Sequence, residues 1–328
     1  MNRSGKLFIV IMLVGMLSSC AGWSGSKESP AELTHIRLPM GYVPNVQYAP
    51  FYAGVEEGFF AEVGLELEFD YSYETDGVAL VGANEIQFSL VSGEQVPIAR
   101  AEGVPIVYVL AWYGQYPVAV VAKSEQNLKT PQDMAGKRIG LPGLFGANYV
   151  GLRALMGYAG LEEKDLILES VGFTQVEVLA ADTSEVIVGY VANEPVQLEA
   201  QGYDLDVLLV SDYLDLVSNG LITNETTLAE NPDLVRRMVS ATMKSIQFAV
   251  ENPEKAYQHC FKYVDGLKDA DQEVQRKVLE SSISLYQTEP YGYSSPVAWE
   301  NMQDVLIDMG LMKEEINLSE AYSNEFSQ

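Results

Sequence analysis

Apolar residues fall along the chain in short blocks of two spacings, and the blocks alternate regularly enough to read elements from them. The run Ile36 to Met40 has a buried-strand pattern, which Gly41, Pro44, Asn45 and Pro50 interrupt before Phe51, Tyr52, Val55, Phe59 and Phe60 resume at helical spacing. Gly64 stops that helix ahead of the alternating strand Leu65, Leu67, Phe69. The rhythm repeats as a helix over Thr75 to Ala83, a strand over Ile86 to Val91, a helix from Ser92 to Ala101 and a strand over Ile106 to Trp112. Strands apolar on both faces are expected to run parallel beneath covering helices.

A second set opens with the strand Val118 to Ala122 and a helix start at Thr130-Pro131. A short strand from Gly136 to Gly140 leads into the Gly-rich turn Gly143 to Gly146, which opens a helix to Tyr158. Strands over Leu166 to Val171, Glu185 to Tyr190 and Leu205 to Val210 then alternate with helices over Gln175 to Ala181 and Glu194 to Gln201. From Leu221 onward the pattern is helical with little strand: Leu234 to Val250, a helix after Asn252-Pro253, Asp271 to Tyr286, and Pro296 to Met309. A helical tail without a sheet of its own must cover one made elsewhere, so it is expected to return to the first set. The predicted fold is α/β in two lobes joined by two crossings, residues 36–116 plus 222–328 forming lobe 1 and 117–221 lobe 2.

Composition changes the picture at the N-terminus and on the surface. Arg3 and Lys6 precede the apolar run Leu7 to Leu17, too short to span a bilayer but suited to a secretory signal. The run ends in Leu17-Ser18-Ser19-Cys20-Ala21, and small residues before a cysteine predict a lipoprotein cleavage box. On that reading residues 1–19 are a leader, Cys20 is lipidated and 20–34 form a polar tether; an ordinary signal with an incidental cysteine is the alternative. With 20 Lys and Arg against 46 Asp and Glu, the net charge is −26, which repels nucleic acid and anionic membrane alike. Cys260 would be left alone in the mature chain, so no intramolecular disulfide is expected and it reads as a small buried hydrophobe.

Candidate chemistry gathers at the strand ends, because open α/β sheets bind ligands outside the carboxyl ends of their strands. The predicted ligand-binding residues are Asn45, Tyr48, Tyr73, Glu74, Thr75, Asp76, Ser92, Glu94, Tyr113, Tyr116, Phe145, Asn148, Tyr190, Asn193 and Glu194. The same loops also carry Tyr42, Gln47, Gln95, Trp112, Gln115 and Tyr149. None is Lys or Arg, which disfavours a sulfonate or phosphorylated ligand that would want cationic forks. What the loops supply is flat rings with hydroxyl tips beside amides and carboxylates, suited to a neutral or weakly cationic planar heteroaromatic. Structural roles compete at several positions: Thr75-Asp76 can cap a helix, Tyr52 can pack in the core, and Gly143 to Gly146 can be a plain turn. Gly41-Tyr42-Val43 recurs as Gly189-Tyr190-Val191, which reads as chance plus shared strand-end chemistry.

Gly41-Tyr42-Val43-Pro44-Asn45 with Ala49-Pro50-Phe51-Tyr52, Glu57-Gly58-Phe59-Phe60, Gly64-Leu65 and Leu128 to Leu141 resembles the type II solute-binding proteins of bacterial ABC importers. More narrowly it looks like the family that includes thiamine-pyrimidine synthases and the binding proteins for thiamine precursors, alkylsulfonates and riboflavin. Within it, Tyr71 to Gly93 with Tyr113 to Pro117 is most similar to riboflavin-binding lipoprotein subunits. The resemblance implies a Venus-flytrap that closes on one small molecule. It implies riboflavin as the transported ligand with no cofactor, an ABC permease and its ATPase subunit as partners, and a monomer held to the extracytoplasmic face of the cell membrane by the lipid on Cys20. A thiamine-precursor aminopyrimidine is the alternative ligand, since Glu74, Asp76, Glu94 and Glu194 could neutralise an amine. A pyrimidine-synthase-like enzyme is disfavoured: that resemblance asks for a histidine with a cysteine-rich iron-associated motif, whereas the histidines here are His35 and His259 and the cysteines do not cluster. Nor does the chain show a P-loop, zinc spacing or a Ser-His-Asp set.

Overall fold

In the computed structural model of the chain the described residues are 33–287 and 290–327. The expected leader, Cys20 and nearly all of the expected tether lie outside them, as do Thr288 and Glu289.

The chain enters through β1 (Thr34–Gly41) and a 3-10 segment at Val46–Tyr48, then α1 (Ala49–Glu56) and α2 (Phe59–Glu62). It continues through β2 (Leu65–Tyr73), α3 (Glu74–Gly82), β3 (Ser89–Val91), α4 (Gln95–Ala101) and β4 (Ile106–Ala111). The second half runs β5 (Val118–Lys123), β6 (Arg138–Leu141), α5 (Gly146–Ala159), β7 (Ile167–Ser170), α6 (Gln175–Ala180), β8 (Val186–Tyr190), α7 (Glu194–Ala200) and β9 (Leu205–Leu209). β10 (Gly220–Asn224) then leads into α8 (Glu225–Glu230), α9 (Pro232–Glu251), α10 (Pro253–Cys260), α11 (Gln272–Tyr286), α12 (Pro296–Asp308) and α13 (Leu318–Ala321). Among the described residues no helix is long and apolar enough to cross a membrane.

In the first half β1 pairs parallel with β2, and β10 lies antiparallel between β3 and β4. The second half is a five-stranded sheet in the order β7-β6-β8-β5-β9, with β6 parallel to β7 and β8 while β5 runs antiparallel to β8 and β9. The chain crosses between the halves twice, from β4 to β5 and from β9 to β10. The wholly parallel arrangement expected from the apolar runs is therefore corrected to mixed sheets. A strand entering from the other half has no crossover helix to bring it round, so it inserts antiparallel.

Other expectations are corrected as well. The single helix expected over Phe51 to Phe60 is two helices, because the backbone turns left-handed at Gly58 (φ 80°) and so swings Phe60 into the core. Gly220–Asn224, expected to open a helical region, is a strand. Its apolar run is too short to show a period, and pairing on both edges decides its state. Thr130-Pro131 starts only a 3-10 turn, closed by a capping box between Thr130 and Asp133. The helical tail packs on the first half and also meets the second. α9 lies along α1 with Leu234, Val235, Met238, Val239 and Ile246 buried, whereas α11 packs on α7 and α12 on α5. Asn231 fixes the start of α9, its side chain accepting from Leu234 N at 3.2 Å with Pro232 in the first turn.

Candidate ligand-binding site

The carboxyl ends of strands from both halves converge on a cleft of about 460 Å³. That volume lies inside the range of about 300 to 1,000 Å³ usual for sites that enclose one small organic molecule. β1 and β8 each end at its wall in a Gly-Tyr pair, Gly41-Tyr42 and Gly189-Tyr190, of which Gly41, Tyr42 and Tyr190 line it. A Cβ on Gly41 would stand 2.6 Å from Glu74 Cγ, and one on Gly189 would stand 2.5 Å from Glu194 Oε2. Each glycine thus leaves the space that a glutamate of the next layer fills, and Gly41 also holds a left-handed φ of 79°. The recurring Gly-Tyr is this shared device at two strand ends.

The floor is aromatic. Tyr48 stacks on Trp112 at 5.1 Å between centroids, Trp112 on Tyr113 at 4.3 Å, and Tyr113 on Tyr286 at 5.5 Å. Hydrogen bonds lock this ladder: Tyr48 OH donates to Met40 O at 2.6 Å, Tyr113 OH to Gln47 Oε1 at 2.9 Å and Tyr286 OH to Gln47 O at 2.5 Å. At the mouth Phe145 and Phe173, 72% and 58% exposed, come from the second half, and Phe173 meets Tyr42 edge to face at 5.1 Å. Rings this exposed at a concave opening leave apolar faces for a guest. Burial pushes the Tyr42 hydroxyl up to about 12, so it stays a neutral donor.

Electrostatically the cleft is one-sided. Its lining, among the described residues, contains no Lys, Arg or His. Glu194 Oε2 accepts from Tyr190 N at 2.8 Å and its Oε1 from Asn193 Nδ2 at 3.1 Å. Burial still raises its pKa against those bonds. Glu74 accepts from Ser92 Oγ at 2.7 Å, and burial pushes its carboxyl up to about 7 despite that bond. Glu94 is driven up to about 8, by burial first and by the charge of Glu74 second. Asn148 Oδ1 is buried at the wall without a hydrogen-bond partner in the protein, an acceptor left for something in the cleft.

Of the residues predicted from the sequence, Tyr48, Tyr73, Glu74, Thr75, Ser92, Tyr113, Phe145, Asn148, Tyr190, Asn193 and Glu194 line the cleft. Asn45, Asp76, Glu94 and Tyr116 do not. Asn45 caps the 3-10 segment, accepting from Gln47 N at 3.0 Å. Asp76 faces solvent in the first turn of α3, and the Tyr116 hydroxyl is taken by Ala147 O at 2.8 Å in the core. Glu94 lies behind the wall, fully buried. Tyr42, Gln47, Gln95 and Trp112 of the wider loop set line it, whereas Gln115 and Tyr149 do not. Unforeseen were Phe173, Gln175 and Asn219. Asn219 Nδ2 donates to Tyr190 OH at 3.1 Å and reaches Ser92 Oγ at 3.4 Å, tying the second half to the first. The sequence offered no signal for Asn219, because the strand it precedes was not legible there.

The chain is 33% identical, over 99% of its length and 98% of the relative's, to a riboflavin-binding protein, RibY, of Chloroflexus aurantiacus. It is 24% identical, over 98% of its length and 99% of the relative's, to a formylaminopyrimidine-binding protein of Halalkalibacterium halodurans. Among solved structures it is similar to the periplasmic aliphatic sulphonate binding protein SsuA of Escherichia coli, with a TM-score of 0.71 at 11% identity over 90% of this chain and 99% of that one. That likeness shows the periplasmic-binding-protein fold, two lobes of sheets and helices about a cleft. The family model described as NMT1/THI5 like matches residues 45–256, and the chain belongs to that family.

Proposed function

We propose that this chain is an extracytoplasmic solute-binding protein of an ABC importer, capturing riboflavin and handing it to the permease and its ATPase. The observation that carries the reading is a cleft with stacked rings on its floor, open rings at its mouth, and buried carboxyls with no cation among its lining residues. An isoalloxazine is flat enough for such rings, each stacked pair adding about 0.5–1.5 kcal/mol beyond area burial. Its ribityl hydroxyls and ring edge match the amides and carboxyls, while a flavin phosphate would meet carboxyls and no counter-charge. The full-length likeness to a protein named for riboflavin binding supports the same ligand.

In this reading residues 36–116 plus 222–328 close against 117–221 about the two crossings, the chain acts as a monomer, and a lipid on Cys20 holds it at the membrane. It is a binder and not a catalyst. The aminopyrimidine reading draws on the carboxyls and on the second relative. Riboflavin is preferred because burial drives these carboxyls toward their neutral form, which favours an uncharged guest over a cation. Native mass spectrometry of protein purified from cells tests the choice. A bound mass equal to riboflavin is expected; a bound aminopyrimidine, or a phosphorylated flavin in its place, contradicts the reading.

A further inference from the structure

At the inner end of the cleft the two halves are joined through a buried side chain, that of Asn219, where the second crossing ends. Its main chain belongs to the first half. Asn219 O accepts from Trp112 N at 2.9 Å and from Tyr113 N at 3.1 Å, which carries the β10–β4 pairing one step past Gly220. Just before it, Ser218 O accepts from the Tyr108 hydroxyl at 3.2 Å and Ser218 Oγ donates to Tyr113 O. A Cβ on Gly93 would overlap Val217 O, so it takes a glycine for the loop after β3 to press on the crossing there. That close approach brings Ser92 Oγ to 3.4 Å from Asn219 Nδ2.

Tyr190 is anchored as firmly in the second half. It pairs with Val118 across β8 and β5, and Glu194 Oε2 takes its N–H at 2.8 Å. Its hydroxyl reaches back to face both ends of the Asn219 amide, Oδ1 at 3.2 Å and Nδ2 at 3.1 Å. The contact therefore links two fixed parts, and both residues line the cleft. A hydrogen bond is lost once it stretches by about 0.5 Å, so this one fits a single angle between the halves.

We propose that Asn219 is a positioning residue for capture: through the Tyr190 hydroxyl it fixes the angle at which the second half closes on the first, and so slows release of what the cleft holds. This rests on the binding-protein reading and goes beyond it, since it assigns the closed angle to an internal hydrogen bond near the hinge and not to the ligand alone. A bond that stabilises the closed arrangement acts on the rate of leaving, because the ligand departs only when the halves part. Encounter with the open mouth makes no use of it.

Stopped-flow fluorescence of the full chain with riboflavin tests this. Tyr190→Phe deletes only the hydroxyl, and Asn219→Ala leaves the main-chain bonds of the crossing in place. Each should speed dissociation about three- to tenfold, as expected for one buried hydrogen bond, with association no slower than wild type. The double variant should dissociate no more than about twofold faster than either single one, because both remove the same bond. Unchanged dissociation in Tyr190→Phe, or two effects that multiply as independent ligand contacts would, overturns the proposal. If no riboflavin binds, the functional reading fails, and small-angle X-ray scattering of the ligand-free chain decides the role of Asn219 by itself. Both single variants should then show a larger radius of gyration than wild type, and an unchanged value overturns it.

Discussion

Glu194 and Glu74 occupy matching places on opposite walls of the cleft, each beside the glycine that ends a strand. Glu194 is satisfied at both oxygens, by a backbone N–H and an amide, and works as a brace for the turn into α7. Glu74 has one hydroxyl partner, and its neighbour Glu94 leaves an oxygen unpaired. The same residue type in the same setting becomes structural or receptive according to whether the fold supplies its hydrogen bonds. A carboxylate held by the fold at both oxygens is fixed in place, whereas one with a single partner keeps more of its acceptor sites for a guest.

The largest expected effect that separates the walls is on folding. Glu194→Ala strands the Tyr190 N–H and the Asn193 amide in a buried place and should cost about 2–4 kcal/mol in urea unfolding. Glu74→Ala should cost under about 1 kcal/mol, or stabilise, because it removes a poorly solvated carboxyl. Equal losses would erase the distinction.

A sharper version uses the glycines. Gly189→Ala drives a methyl into a carboxylate that is held at both ends, and a loss of about 2 kcal/mol is expected with the melting curve as readout. Gly41→Ala adds left-handed strain of about 1–2 kcal/mol, but Glu74 has room to yield, so the greater damage should appear in ligand affinity. If Gly41→Ala leaves binding intact, Glu74 does not need its present position. The smallest effect lies at the mouth: Phe173→Ala should weaken binding by about 0.5–1.5 kcal/mol, roughly two- to tenfold, with melting unchanged. An unaltered affinity would remove Phe173 from the set of ligand-stacking rings.

The same contrast explains what was legible in the sequence. Buried runs such as Val118 to Ala122 and Ile106 to Trp112 announced their strands to within about two residues, because burial on both faces leaves few alternatives. β10 was opaque, since two apolar residues, Leu221 and Ile222, acquire a strand state only from β3 and β4 on either side. At the site, the residue types at strand ends pointed to an aromatic, cation-poor cleft before any geometry. What could not be read is how each polar group spends its hydrogen bonds: Asn45 on a cap, Tyr116 on a core carbonyl, Glu194 on a backbone N–H. Asn219 and Phe173 reach the cleft only because the second half folds over the first.

On the function proposed, the cleft selects a flat, uncharged ligand because its rings have no cation among the lining residues. Parallel titration of the purified chain with riboflavin and with its phosphate ester, FMN, at the same pH and ionic strength tests it most directly. Submicromolar quenching of riboflavin fluorescence is expected, with an affinity for FMN lower by at least about tenfold, because the added phosphate meets carboxyls and no cation in the lining. Equal affinities, or tighter binding of FMN, would contradict it.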